Sequence, residues 1–234
     1  MDHEEKKTPA WVWIAVGCSI PIVLIIVLIG GVGFFGYRVA KQMKSDTPEQ
    51  RAERVMATLG CREIPEGYFP AVSLSVPFLF QMAMLSDRPF DPNEKDHTTS
   101  KEKGLIYVKS IRGQNEKKVR DFIDGKADPS ELLGQGNIRL GKLKPIGRGS
   151  FEGAGGTLHW VSNQGDLQAH GNNIDGLVSL VYVECPGDSK FRLAIWYGPD
   201  PNAGKESAPP SYAGTMADAD EIRTFMSQFS LCGR

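Results

Sequence analysis

From Trp11 to Gly36 the chain carries no charged side chain, and from Thr47 onward its apolar positions fall into short periodic runs broken by glycine and proline. The first run, WVWIAVGCSIPIVLIIVLIGGVGFFG, exceeds the ~20 apolar residues that carry a helix across a hydrocarbon core. Trp11 and Trp13 open it, and Tyr37 and Arg38 close it, rings and a cation suited to the headgroup boundary. Pro21 lies inside, which membrane helices tolerate. A cleaved signal peptide would have a shorter apolar stretch and small residues at the cut, whereas this run ends in Tyr37-Arg38-Val39-Ala40-Lys41. Ala15-Val16-Gly17-Cys18 is faintly like a lipoprotein box, but the apolar stretch continues past Cys18. The pattern predicts a polar tail at 1–10, a transmembrane helix at 11–37, a juxtamembrane amphipathic helix within 38–60 and a soluble domain over 61–234.

Within that second part, Thr47-Pro48-Glu49-Gln50 is a capping box, and Ala52, Val55, Met56 and Leu59 fall on one helical face before Gly60. Two strands, 69–76 and 78–86, split at Pro77, with Val72, Leu74 and Val76 alternating against Ser73 and Ser75. A third strand runs from Gly104 to Ile111, after a polar loop. A helix follows over 115–125 on Val119, Phe122 and Ile123, and Asp128-Pro129-Ser130-Glu131 starts a short helical turn. Four strands are expected near 138–146, 150–162, 176–185 and 190–197, with Gly165, Gly171 and Gly176 as turns. The last helix starts at Asp218 and turns Ile222, Phe225, Met226 and Phe229 inward. Consecutive strands imply an antiparallel sheet with helices packed on it, so the expected class is α+β behind an N-terminal transmembrane helix.

This element order, over roughly 62–232, resembles the PsbP-like α/β/α sandwich. The layout of tail, anchor, short helix and Pro65-x-Gly67-Tyr68 before a β-meander also resembles uncharacterised bacterial single-pass membrane proteins. Neither resemblance supplies a functional residue, and the second implies no activity.

Composition narrows the partners. The 234 residues carry a net charge of −1, with a pI of about 6.4, which gives no electrostatic reason to expect nucleic acid. The expected partners are the lipid bilayer and a protein. Lys and Arg after the apolar run lean towards a cytoplasmic domain. The habit of N-terminal anchors leans the other way, and so does a disulfide, so an extracytoplasmic soluble domain is expected with its orientation open. Cys61, Cys185 and Cys232 have no CxxC spacing and so no zinc signature. Cys61 follows the first soluble helix and Cys232 the last, and a Cys61–Cys232 bridge would pin the domain's ends, stabilising it by roughly 4–5 kcal/mol. Cys185 is an alternative partner, and three reduced thiols are the rival reading.

The chemistry-bearing motifs are weak. Gly147-Arg-Gly-Ser-Phe-Glu-Gly-Ala-Gly-Gly156 has the look of a phosphate cradle but fails the GxGxxG and Walker spacings, and a hairpin turn accounts for its glycines. His159 and His170, with Asp166 and Asp175 nearby, lack metal-ligand spacing, and no GxSxG elbow exists. Trp160, Trp196 and Tyr197 line either a sheet core or an apolar ligand pocket. No catalytic residue, metal or cofactor is expected. The reading is a membrane-anchored, non-enzymatic domain for protein interaction or envelope assembly. The alternatives are a binder of small or apolar ligands and, last, an anchored enzyme.

Overall fold

The computed structural model describes residues 47–90, 103–111, 113–128, 138–140, 143–153, 155–169, 172–203 and 210–233, all within one compact unit spanning 46–234. Its described residues form three helices and eight strands: α1 (Pro48–Leu59), β1 (Phe69–Val76), β2 (Phe80–Ser86), β3 (Gly104–Ile111), α2 (Gln114–Ile123), β4 (Ile138–Leu140), β5 (Lys144–Gly153), β6 (Gly156–Ala169), β7 (Asn172–Glu184), β8 (Lys190–Gly198) and α3 (Ala219–Met226). One antiparallel sheet takes all the strands, in the order β1-β2-β3-β8-β7-β6, with β4 and β5 sharing the outer edge of β6. Two meanders, β1-β2-β3 and β5-β6-β7-β8, meet where β8 pairs with β3 along its whole length, from Gly104 opposite Tyr197 to Ile111 opposite Lys190.

Alternation along the strands divides the core in two. One face buries Leu85, Leu105, Trp160, Val181 and Trp196 under α1, α3 and the C-terminal segment. The other buries Ile106, Val161, Val178, Leu180 and Ile195 with Phe122 and Ile123 of α2. The capping box that starts α1 is formed: the Thr47 hydroxyl accepts from Gln50 N–H and the Gln50 side chain from Thr47 N–H, each at 3.3 Å. Gly60 ends the helix in the left-handed region, at φ +67°. With Val55 and Leu59 buried, α1 belongs to the cover of the sheet and is not a free connector.

Three expectations are corrected. The described chain is mainly β and not α+β, because the strands are longer than the pattern suggested. Gly147 and Gly149 lie inside β5, and Gly165 and Gly176 are paired partners inside β6 and β7, where turns were expected. No helix among the described residues is long and apolar enough to cross a membrane, and the longest, α1, has 12 residues against the ~20 required. The expected transmembrane helix and the single-pass, extracytoplasmic placement therefore find no counterpart in the described fold. The Trp11–Gly36 run, the boundary residues Trp11, Trp13, Tyr37 and Arg38, and the bilayer partner inferred from them lie outside the described residues. The third correction concerns the cysteines: Cys232 pairs with Cys185, at a Cα–Cα distance of 5.4 Å, and Cys61 is free. Cys185 directly follows β7, where the returning C-terminal segment brings Cys232 to it, whereas Cys61 sits one residue beyond the α1 cap.

Candidate functional site

The end of the sheet where β1 turns into β2 carries an exposed apolar group. Leu79 N–H donates to the Val76 carbonyl at 3.1 Å and closes the turn Val76-Pro77-Phe78-Leu79. Proline in second place and a positive φ in third is the type II pattern, whose third position favours glycine or asparagine. Phenylalanine stands there instead, at φ +67°, the sole non-glycine with positive φ among the described residues. Its side chain is 89 % exposed. Ile111 N–H donates to the Leu79 carbonyl at 3.1 Å, which brings together two more exposed apolar residues next to the turn, Leu79 at 53 % and Ile111 at 56 %. On the opposite face of β2 and β3, Met82, Met84 and Val108 pack half-buried at the margin of the second core.

Cations stand beside the tip. Lys190 is the register partner of Ile111, and Lys109 lies two residues before it. Burial first, then the neighbouring Arg192 and Lys190, lower the pKa of Lys109, while Asp188 pulls it the other way. Arg192 itself is fully buried, with Nε donating to the Leu231 carbonyl at 3.0 Å and Nη2 to the Asp188 carboxylate. Arg192 and the Cys185–Cys232 bridge thus tie the C-terminal segment to β7, β8 and the turn between them. Burial also pushes the phenol of Tyr107, beside Arg192, up to about 12.

A second polar group lies under α2. The Tyr182 hydroxyl donates to Glu116 Oε1 at 3.0 Å, and Arg120 Nη2 contacts Glu184 Oε2 at 2.5 Å. The Arg120 guanidinium also lies 5.1 Å from the centre of the Tyr182 ring. His159, projecting from β6 towards Tyr182, approaches the same Glu184 Oε2 with its buried Nε2 at 3.6 Å, beyond hydrogen-bond range. Arg120 is the main reason the Glu184 carboxyl titrates below its ordinary range. Beside this cluster an open groove of about 400 Å³ is lined by Thr157 and Glu184 to Ser189.

Several sequence-level candidates take structural roles. The rings of Trp160 and Trp196 are buried; Trp196 stacks on Phe225 at 4.1 Å between centroids and donates from Nε1 to the Tyr68 hydroxyl at 2.7 Å. They are core, not pocket wall. The glycine-rich segment is a bed for Trp160: a Cβ on Gly147 or Gly149 would come within 3.3 or 3.1 Å of the indole. His159 lies beside Glu184, with no cluster of three metal-ligating groups around it among the described residues. His170 lies outside them. Sequence reasoning passed over Phe78, although phenylalanine straight after proline in a turn was the available signal. No protein-family model matches this chain, and no curated protein shows significant similarity to it.

Proposed function

We propose that this domain is a protein-interaction module that docks a partner through the β1–β2 turn. The observation that carries the reading is Phe78: a large ring held in the left-handed region, at φ +67°, yet left in water. For a non-glycine residue that conformation costs of order 1–3 kcal/mol, and such strain clusters at functional positions. The exposed ring returns nothing to the fold. Burying it in a partner would gain roughly 1.5–3 kcal/mol, and Leu79 and Ile111 beside it extend the contact. Lys109 and Lys190 favour a partner whose apolar pocket is rimmed by carboxylates. The reading is one of binding and not of catalysis, supported by the commitment of Glu116, Arg120 and Glu184 to holding α2 and of Asp188 and Arg192 to holding the C-terminal segment.

The test places a photo-crosslinking side chain at position 78 of the full chain in its native cell, with a second at exposed Thr224 on α3 as control. A discrete cross-linked protein from position 78 alone, reduced at least fivefold by Leu79→Ser with Ile111→Ser, is the expected result. The same products from position 224, or products indifferent to the double substitution, would sink the proposal.

A further inference from the structure

We propose that the outer edge of β1 pairs with the same edge of a second copy of this chain, across a two-fold axis at Leu74, so that two sheets join into one. β1 ends the sheet order, and no described strand pairs with its outer side. Natural sheets guard such edges with charges, proline or bulges. The opposite edge is guarded in that way: β5 carries Lys144, Arg148 and Glu152, with Pro145 and a register shift between Pro145 and Gly147. β1 is guarded only at its start, where Pro70 and a register shift between Pro70 and Val72 fall, and no residue from Tyr68 to Ser86 is charged. The regular remainder of the strand is Val72-Ser73-Leu74-Ser75-Val76, a sequence that reads the same in both directions.

That symmetry matters because a two-fold contact must be complementary to itself. With Leu74 on the axis, Leu74 meets its own copy, each Val72 meets Val76 and each Ser73 meets Ser75, so apolar residues share one face and hydroxyls the other. The backbone agrees. Ile111 N–H donates to the Leu79 carbonyl, which aims Leu79 at β3 and therefore Phe80 at its register partner Val76. Alternation then aims Leu74 and Val72 at β2 as well, and leaves the N–H and C=O of Ser73 and Ser75 facing outward. Ser73 of each copy can thus exchange both backbone hydrogen bonds with Ser75 of the other. Helix α1 leaves the edge open. It reaches Ser73 through the Thr58 hydroxyl at 3.4 Å, a residue on its flank and not among its buried Arg51, Val55 and Leu59, so its axis lies inboard of β1. The pairing also brings Phe69 of each copy, 41 % exposed, towards the Pro77–Leu79 turn of the other. The seam stands on β1 itself and does not depend on the reading of Phe78 as a docking ring.

The experiment is cysteine cross-linking on the purified full chain, carrying Cys18→Ser and Cys61→Ser so that the Cys185–Cys232 bridge holds the remaining native cysteines. Leu74→Cys puts a thiol on the axis, in a non-hydrogen-bonded pair whose Cα atoms lie about 4.5 Å apart, within the ~4.4–6.8 Å that a disulfide spans. Mild oxidation is expected to give a disulfide-linked dimer on a non-reducing gel, and Thr224→Cys, on the exposed side of α3, is expected to give little. Ser75→Pro removes only an outward N–H, which an edge strand tolerates, and is expected to lower the yield from Leu74→Cys about fivefold or more. Ser75→Lys, which sets a charge in the seam, takes its place if the proline variant does not fold. No dimer from Leu74→Cys, an equal yield from Thr224→Cys, or a yield indifferent to the Ser75 substitutions would overturn the proposal. The turn reading is judged apart from it, by the cross-link at position 78: a foreign protein captured there, with no Leu74→Cys dimer, ends the edge pairing alone.

Discussion

Replacing Phe78 by glycine should stabilise this domain while removing its most exposed ring. An L-residue in the left-handed region costs about 1–2 kcal/mol, and Phe78 sits there at φ +67°. Glycine relieves that cost but adds freedom to the unfolded chain worth about 0.4–1 kcal/mol. The ring is 89 % exposed, so its loss subtracts little packing. The net expectation is a gain of roughly 0.5–1 kcal/mol, and for a unit of this size that raises the melting temperature by about 1–4 °C. Phe78→Ala separates the two contributions: it removes the ring, keeps the strain, and should lie within about 0.5 kcal/mol of the parent. Thermal melts followed by circular dichroism, on the oxidised protein at one concentration, read both. A fall in melting temperature for Phe78→Gly would mean that the ring supports the fold, and the functional reading of the turn would fail with it.

Cys232→Ser opens a loop spanning 47 residues between Cys185 and Cys232 and should cost up to about 4 kcal/mol in the chain-entropy picture, seen as a lower urea midpoint that reductant no longer shifts. Gly149→Ala brings a methyl to 3.1 Å from the Trp160 indole and should destabilise by about 1–3 kcal/mol in the same assay. Asp188→Asn leaves the buried Arg192 guanidinium without its counter-ion, at a cost of roughly 3 kcal/mol or more at neutral pH. Because Arg192 holds the Asp188 carboxyl below its ordinary range, that stabilisation is present above the range and is lost as pH falls through the lower folded value. Stability should therefore decline more steeply in acid for the parent than for Asp188→Asn, as read from urea midpoints across the acid range.

Local patterning was the most legible level of this chain. The capping box at Thr47 and Gln50, the Gly60 stop and the β3 limits at Gly104 and Ile111 are all present as the periodicity implied. The glycine-rich segment was opaque for a physical reason. Glycine in a strand is ordinarily a defect, and the sequence cannot show that Trp160, on the neighbouring strand, needs bare backbone to lie against. The disulfide was opaque for another: Cys61 and Cys185 are both near an element end, and only the return of the C-terminal segment over β7 decides which of them Cys232 meets. The candidate site was least legible of all. Neither hydropathy nor charge distinguishes a turn phenylalanine in a relaxed backbone from one at φ +67°, and Arg120, His159 and Glu184 converge only once β6, β7 and α2 are in place.

The position of β8 between β3 and β7 has a consequence for how the chain comes to be folded. The first meander presents an open edge at β3 from the moment it forms, and the strand that closes this edge is the last of the eight to be made. Until β8 arrives, Leu105 and Tyr107 lack their partners on that side, Trp196 and Ala194, and the cover of the C-terminal segment. The two halves cannot mature one after the other. They are joined late and together, a topology that folds slowly and leaves a hydrophobic strand edge exposed during synthesis.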